Sequence, residues 1–165
     1  MISLRPMEDR IGDYLAMQRW FAEPDLAQWV WCDNKGETDV PLTRIIEKYG
    51  ARIKNPVDVF PYFILADSTP IGFIQYYFSD AVTVGLDMWI GTAAERGHGY
   101  GVEALRQMVT MIQEKHPDVR EIFIDPEEEN VRAVHCYEKA GFIRCGKIFD
   151  DGGLCLLMKY PLLSK

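Results

Sequence analysis

Arg96-Gly97-His98-Gly99-Tyr100-Gly101 joins a strand-like run, Val82 to Ile90, to a helical pattern that begins near Val102. Three glycines crowd where a strand ends and a helix begins. At such a junction the first N–H groups of the helix have no internal acceptor, and the helix dipole sets partial positive charge behind them. Glycine supplies positive φ and lets that backbone approach a bulky anion, while Arg96 adds a formal charge. The stretch reads as a phosphate-binding turn for a phosphorylated cofactor. A turn that uses its glycines for positive φ alone is the plainer alternative, and it gives the arginine no task.

Two cofactor classes fit the turn. Gly99-Tyr100-Gly101-Val102-Glu103-Ala104 satisfies the dinucleotide pattern G-x-G-x-x-A, and Asp125 follows the next strand as that pattern requires. Too few residues remain after the turn to complete a doubly wound sheet, however, and a long, separately patterned segment precedes it. A P-loop is excluded because no Gly-Lys-Ser/Thr follows. The second pattern is Arg-x-x-Gly-x-Gly, carried by Arg96, Gly99 and Gly101. Downstream stands Asn130-Val131-Arg132-Ala133-Val134-His135-Cys136-Tyr137-Glu138-Lys139-Ala140-Gly141-Phe142. In this order and at this distance the two motifs resemble the signatures of the GNAT superfamily of N-acetyltransferases, the first being its acyl-CoA pyrophosphate loop. Within the superfamily the chain looks most like the aminoglycoside 6′-N-acetyltransferases, and less like siderophore-pathway acetylases. That likeness touches Trp29-Val30-Trp31, Phe60-Pro61-Tyr62, Pro70 to Tyr76, Gly85-Leu86-Asp87 and the run from Asp125 to Phe142.

Composition is that of an ordinary globular chain. At 165 residues the chain is expected to form one domain over residues 1–165, with 48% hydrophobic and 26% charged residues. The formal charge of −7 disfavours nucleic acid and anionic membranes as partners and suits a cationic substrate, although solubility alone would also explain it. Met1 to Met7 lacks the apolar core of a signal peptide and no run approaches membrane-spanning length, so a cytoplasmic location is expected. Cys32, Cys136, Cys145 and Cys155 form no C-x-x-C pair and, with three scattered histidines, offer no metal-ligand spacing. They read as buried, reduced thiols.

Along the chain, Ile2 to Met7 reads as a strand and Ile11 to Phe21 as a helix ended by Glu23-Pro24. Leu26 to Cys32 reads as strand-like; there Trp29 and Trp31 would face opposite sides, so both cannot be core. A helix from Leu42 to Tyr49 is closed by Gly50. Phe60 to Ala66, the turn Asp67-Ser68-Thr69-Pro70 and Ile71 to Phe78 form a hairpin. Gly85 interrupts Val82 to Ile90, marking a bulge or a close backbone approach. Val102, Leu105, Met108, Val109 and Ile112 share one helix face, and His116-Pro117 ends it. Glu121 to Ile124 is a buried strand, Asn130 an N-cap and Gly141 a C-cap. Phe142 to Phe149 and Leu154 to Tyr160 form a last hairpin. The sum is a mixed α/β (α+β) fold: a mostly antiparallel sheet of six or seven strands flanked by about four helices, with a bulged, splayed central strand.

The resemblance implies acetyl-CoA as cofactor, with backbone from Met88, Trp89 and Ile90 against pantetheine. It implies Arg96, Gly97, His98, Gly99, Tyr100 and Gly101 around the pyrophosphate and Asn130 on the pantetheine arm. Acetyl transfer to an amine needs the amine deprotonated and a proton for the departing thiolate. Asp87, just past the glycine, is the candidate base, by accepting the proton or by positioning the ammonium; a surface aspartate is its plainer reading. Tyr137 is the candidate acid, since a phenol with pKa near 10 stays protonated at neutral pH; a core tyrosine is the alternative. Asp125 and Asp151 match acidic positions toward a polyamine sugar, with Trp29 and Trp31 lining the site. The loop Ser79-Asp80-Ala81 is shorter than in the resistance enzymes, so ancestry is better marked than drug choice. A polyamine, a siderophore precursor, a protein N-terminus or a non-catalytic acyl-CoA-binding module remain alternatives, and monomer and homodimer both stay open.

Overall fold

The computed structural model describes residues 1–150 and 153–162, and in it strand and helix periodicities sort into one sheet with helices on both faces. The strands are β1 (Ile2–Pro6), β2 (Val59–Ala66), β3 (Thr69–Asp80), β4 (Thr83–Ile90), β5 (Glu121–Ile124), β6 (Ile143–Asp150) and β7 (Gly153–Tyr160). They stand in the order β1-β2-β3-β4-β5-β7-β6. Only β4 and β5 pair in parallel, through a crossover helix; every other neighbouring pair is antiparallel. The helices are α1 (Ile11–Phe21), α2 (Pro24–Ala27), α3 (Leu42–Lys54), α4 (Tyr100–Lys115) and α5 (Val131–Ala140). Among the described residues none is long and apolar enough to cross a membrane.

Alternation along the central strands divides the core in two. On one face α1 and α3 bring Met17, Phe21, Ile45 and Tyr49 onto Phe63, Phe73 and Trp89. On the other, α4 and α5 bring Leu105, Met108, Ile112 and Tyr137 onto Ile64, Ile74, Leu86 and Ile124. β4 therefore sends Leu86 to the α4–α5 side and Trp89 to the α1–α3 side. Asp87, two residues before Trp89, shares the latter.

Several local expectations shift for identifiable reasons. The β2–β3 turn needs only two residues, because Asp67 and Ser68 both take positive φ (48° and 73°), the conformation whose twist suits a tight hairpin. Gly50 does not close α3. It lies inside a helix that runs on to Lys54, and a Cβ there would sit 3.0 Å from the Tyr14 hydroxyl, so the glycine serves the approach of α1. Leu26 to Cys32 is not a strand: Pro24 opens a short helix, and Trp29 and Val30 turn back to the Leu26 carbonyl (2.9 and 2.8 Å). Gly85 marks a close approach, since a Cβ there would overlap the Tyr77 ring. β4 keeps unbroken register with β3 past it, and the irregularity of that hairpin falls between Phe78 and Asp80. Cys145 is exposed rather than buried.

The closeness of β3 and β4 can be tested directly. A Cβ on Gly72 would overlap the main-chain oxygen of Trp89, which cannot step aside as a side chain could. Gly72→Ala should cost about 1–3 kcal/mol, the usual penalty of overpacking. At about 2–4 °C per kcal/mol for a chain of this size, thermal unfolding should register it clearly. Gly12→Ala, whose Cβ meets nothing within 4 Å, should melt no lower than the unmodified protein.

Candidate active site

The site begins where the sheet stops pairing. β4 and β5 run in register from Thr83↔Glu121 to Leu86↔Ile124, and there the pairing ends. β4 continues to Ile90, while the chain after β5 reaches Asp125 and Pro126 and turns toward β7. Proline has no N–H with which to extend the ladder. Instead the Pro126 carbonyl accepts from Leu156 N (2.9 Å), and Glu128 N donates to the Leu154 carbonyl (3.0 Å). A gap opens between β4 and the β5–α5 connection, with a cavity on either side of it.

The first cavity, of about 550 Å3, lies at the start of α4 and α5 and is lined by Met88, Trp89, Ile90, Arg96, Gly97, Gly99, Tyr100, Gly101 and Asn130. Gly97 and Gly99 take φ of +79° and +78°, as a phosphate turn requires. Gly99 is the N-cap of α4 and no side chain caps that end, so its first N–H groups are left for another acceptor. Burial, and then the neighbouring Arg132, push the Arg96 pKa below its ordinary value. Two guanidiniums on one cavity wall are relieved by an anion between them. A pyrophosphate fits these residues.

Two members of the turn behave otherwise than expected. Gly101 does not have positive φ. It is inside α4, where a Cβ would lie 3.1 Å from both Cys136 Sγ and Met88 Cε, so it keeps the cavity wall thin. His98 does not line the cavity; its ring stacks on Tyr100 at 5.3 Å and lies 3.0 Å from the Ala94 carbonyl. Asn130 caps α5 by accepting from Ala133 N (3.3 Å), which leaves its amide nitrogen as the group it can offer the cavity.

The second cavity, of about 490 Å3, opens on the α3 side. Trp29 and Trp31 both line it, as do Asp87, Asp125, Asp33 and Glu127, against two cations, Lys48 and Arg52. Part of this acidity is already matched. Asp33 meets Arg44 (3.3 Å) and Lys48 (3.8 Å), and Glu127 meets Lys35 at 2.6 Å. The Lys35 contact straps the α2–α3 loop across to the β5–α5 connection, with the Lys35 ammonium 5.5 Å from the Trp31 ring centre. Asp87 accepts a hydrogen bond from Gln75 Nε2 at 2.8 Å. Asp151 lies outside the described residues.

Trp29, Val30, Met88, Trp89, Asn130 and Tyr137 line both cavities. Tyr137 is 6% exposed, and burial, followed by the nearby Cys136, Asp87 and Asp125, lifts its pKa far above that of an ordinary phenol. It therefore keeps its proton throughout the neutral range. Burial also pushes the neighbouring Cys136 thiol up to about 11. Sequence reading missed Gln75, Arg52, Lys48 and Arg132. None carried a local signal: regular counting from the Asp80↔Thr83 pair would set Gln75 opposite Met88, and the register shift between Phe78 and Asp80 brings it opposite Asp87.

The arrangement matches a known family. The model of the acetyltransferase (GNAT) domain matches residues 9–149. The aminoglycoside N(6′)-acetyltransferase type 1 of Klebsiella pneumoniae is 29% identical over 170 aligned positions, covering 95% of this chain and 81% of that protein. The solved structure of AAC(6′)-Ib with ribostamycin and coenzyme A superposes with a TM-score of 0.84 at 26% identity, over 96% of this chain and 92% of that one. AAC(6′)-Ib with coenzyme A and kanamycin gives 0.82 at 27% identity, over 96% and 94%. With both signature motifs, the splayed β4–β5 pair and a family model spanning most of its length, the chain belongs to the GNAT acetyltransferase family.

Proposed function

We propose that the protein acts in the cytoplasm, moving the acetyl group of acetyl-CoA to a primary amine of an aminoglycoside-like amino sugar. One observation carries this reading. The two cavities, one basic at a helix N-terminus and one with more acids than bases, meet at a shared wall where the Asp87 carboxylate and the Tyr137 phenol approach from opposite faces of the sheet. The relatives support the acceptor class: a curated enzyme similar to this chain is named for aminoglycosides, and solved structures similar to it hold ribostamycin or kanamycin.

Acetyl-CoA supplies the acetyl group as a thioester and departs as a thiol. Arg96, Arg132 and the first N–H groups of α4 hold the pyrophosphate. The Asn130 amide and the edge of β4 from Met88 to Ile90 hold the pantetheine arm. Asp87 draws in the acceptor ammonium and takes its proton, freeing the lone pair for attack. The Tyr137 hydroxyl, protonated throughout the neutral range, would supply the proton that a departing thiolate needs. Trp29 and Trp31 wall the acceptor side and keep water from the junction, while Asp125 and Asp151 bind further amines of the acceptor. Amines that reach Glu127 compete with Lys35, and those that reach Asp33 compete with Arg44 and Lys48.

Acetyl-CoA at 100 times its dissociation constant should stabilise the fold by about 2.7 kcal/mol, read as a rise in melting temperature. Gly99→Val should remove that shift, because a β-branched residue at φ +78° distorts the turn. A larger shift with NADH would instead favour the dinucleotide assignment. Asp87→Asn and Tyr137→Phe should each lower kcat by about 10²–10⁴ while acetyl-CoA affinity holds, in steady-state assays of thiol release. A smaller loss in either would return that residue to a packing role. In an acceptor panel, kanamycin-type amines should be acetylated, with KM rising as salt screens the cavity carboxylates. Asp125→Asn should raise KM more than it lowers kcat. Efficient acetylation of peptides, with amino sugars inert, would overturn the acceptor class.

A further inference from the structure

We propose that Gln75, itself held by Arg52, is the positioning residue that aims the Asp87 carboxylate. This rests on the reading of Asp87 as the group that serves the acceptor amine. Gln75 and Asp87 are direct cross-strand partners in the β3–β4 register, so their side chains stand on the same face. Gln75 is 8% exposed, and a buried amide needs both its ends engaged. Its Nε2 donates to Asp87 Oδ2 at 2.8 Å, and its Oε1 accepts from Arg52 Nη1 at 3.1 Å.

The direction of this chain is fixed by chemistry. A guanidinium has only donors, so it admits the amide in one orientation, with the oxygen toward Arg52 and the nitrogen toward Asp87. Arg52 is itself braced over the Tyr49 ring, 5.0 Å from its centre, on α3. The amide also separates two formal charges. A guanidinium bound straight to Asp87 would hold the carboxylate so firmly ionised that it would take a proton poorly. With Gln75 between them, Asp87 is oriented by a neutral donor, while the arginine fixes only that donor. Asp87 also faces Tyr49 from α3, Asp125 from the end of β5 and Tyr137 from α5, each within electrostatic reach of this pocket.

The test uses the full chain with Gln75→Leu, Arg52→Met and Arg52→Lys, each alone and with Asp87→Asn. Gln75→Leu should lower kcat about ten- to a hundredfold, the value of one hydrogen bond to a charged group, with KM for both substrates little changed. Arg52→Met should fall similarly, and Arg52→Lys, which keeps a donor, should recover much of the loss. On the Asp87→Asn background neither change should lower kcat further, because both act through that carboxylate. Independently of turnover, the carbon-13 titration of the Asp87 carboxyl without acetyl-CoA should move to higher pH in Gln75→Leu, since a donor to the ionised form is gone. An unchanged titration and kcat, or losses that add to Asp87→Asn, would overturn the positioning role. Should Gln75→Leu melt early, the same readouts apply to Arg52→Met, which lies nearer the surface. If Asp87→Asn retains full kcat, the base assignment falls and the relay with it. If Asp87→Asn is impaired and Gln75→Leu is not, the relay alone falls.

Discussion

Beyond Leu86 and Ile124 the two parallel strands at the centre of the sheet part company, and four residues of β4 run on with no strand on the β5 side. Backbone polar groups taken out of a ladder need other partners. A sheet edge in the middle of a protein is therefore a place where an extended, amide-bearing ligand can dock. Two features keep the gap open. Pro126 withdraws the donor that would have continued β5, and the chain after it bonds to β7 instead. On its other side β4 stays paired with β3 through Gly72↔Ile90, so the open strand cannot collapse across the gap.

Because the gap pierces the sheet, it joins two environments of opposite character. Below it, Arg96 and Arg132 stand beside the uncapped N–H groups of α4, with Lys139 of the last turn of α5 on the same cavity's wall. On the other face, aspartates and a glutamate outnumber two cations beside tryptophan. The sheet between them is apolar and closely packed, which limits screening between the charges. A formal charge of −7 for the whole chain conceals this division, since it averages over both cavities.

How much of this the sequence disclosed depended on the range over which each feature is encoded. The positive φ at Gly97 and Gly99, the Asn130 cap and the Gly141 stop are local, and residue type alone marks them. α1 and β5 were legible because their periodicity is uninterrupted. Leu26 to Cys32 misled because its run of apolar and aromatic residues resembles a strand, while the decisive signal was Pro24 opening a short helix. Gly50 and Gly101 looked like conformational glycines, yet each is small for the sake of a neighbour distant in sequence, Tyr14 or Cys136 and Met88. The Arg52–Gln75–Asp87 chain joins α3, β3 and β4, and only the hairpin register brings its polar members together. Asp87 and Tyr137 could be named separately; their approach from opposite faces needed the gap.

The wall common to both cavities also governs how such a protein can diversify. On the proposed assignment of the cavities, a change at Trp29, Met88 or Tyr137 is felt by donor and acceptor alike, so few replacements there leave a working pair. Trp31, Asp33, Lys48 and Glu127 border the α3-side cavity and not the other, on loops and a helix face, where substitutions are tolerated more easily. New acceptors are thus reachable by steps that never disturb the donor, whereas a new donor would require both sides to change together. The partition makes the scaffold conservative in what it gives away and permissive in what receives it.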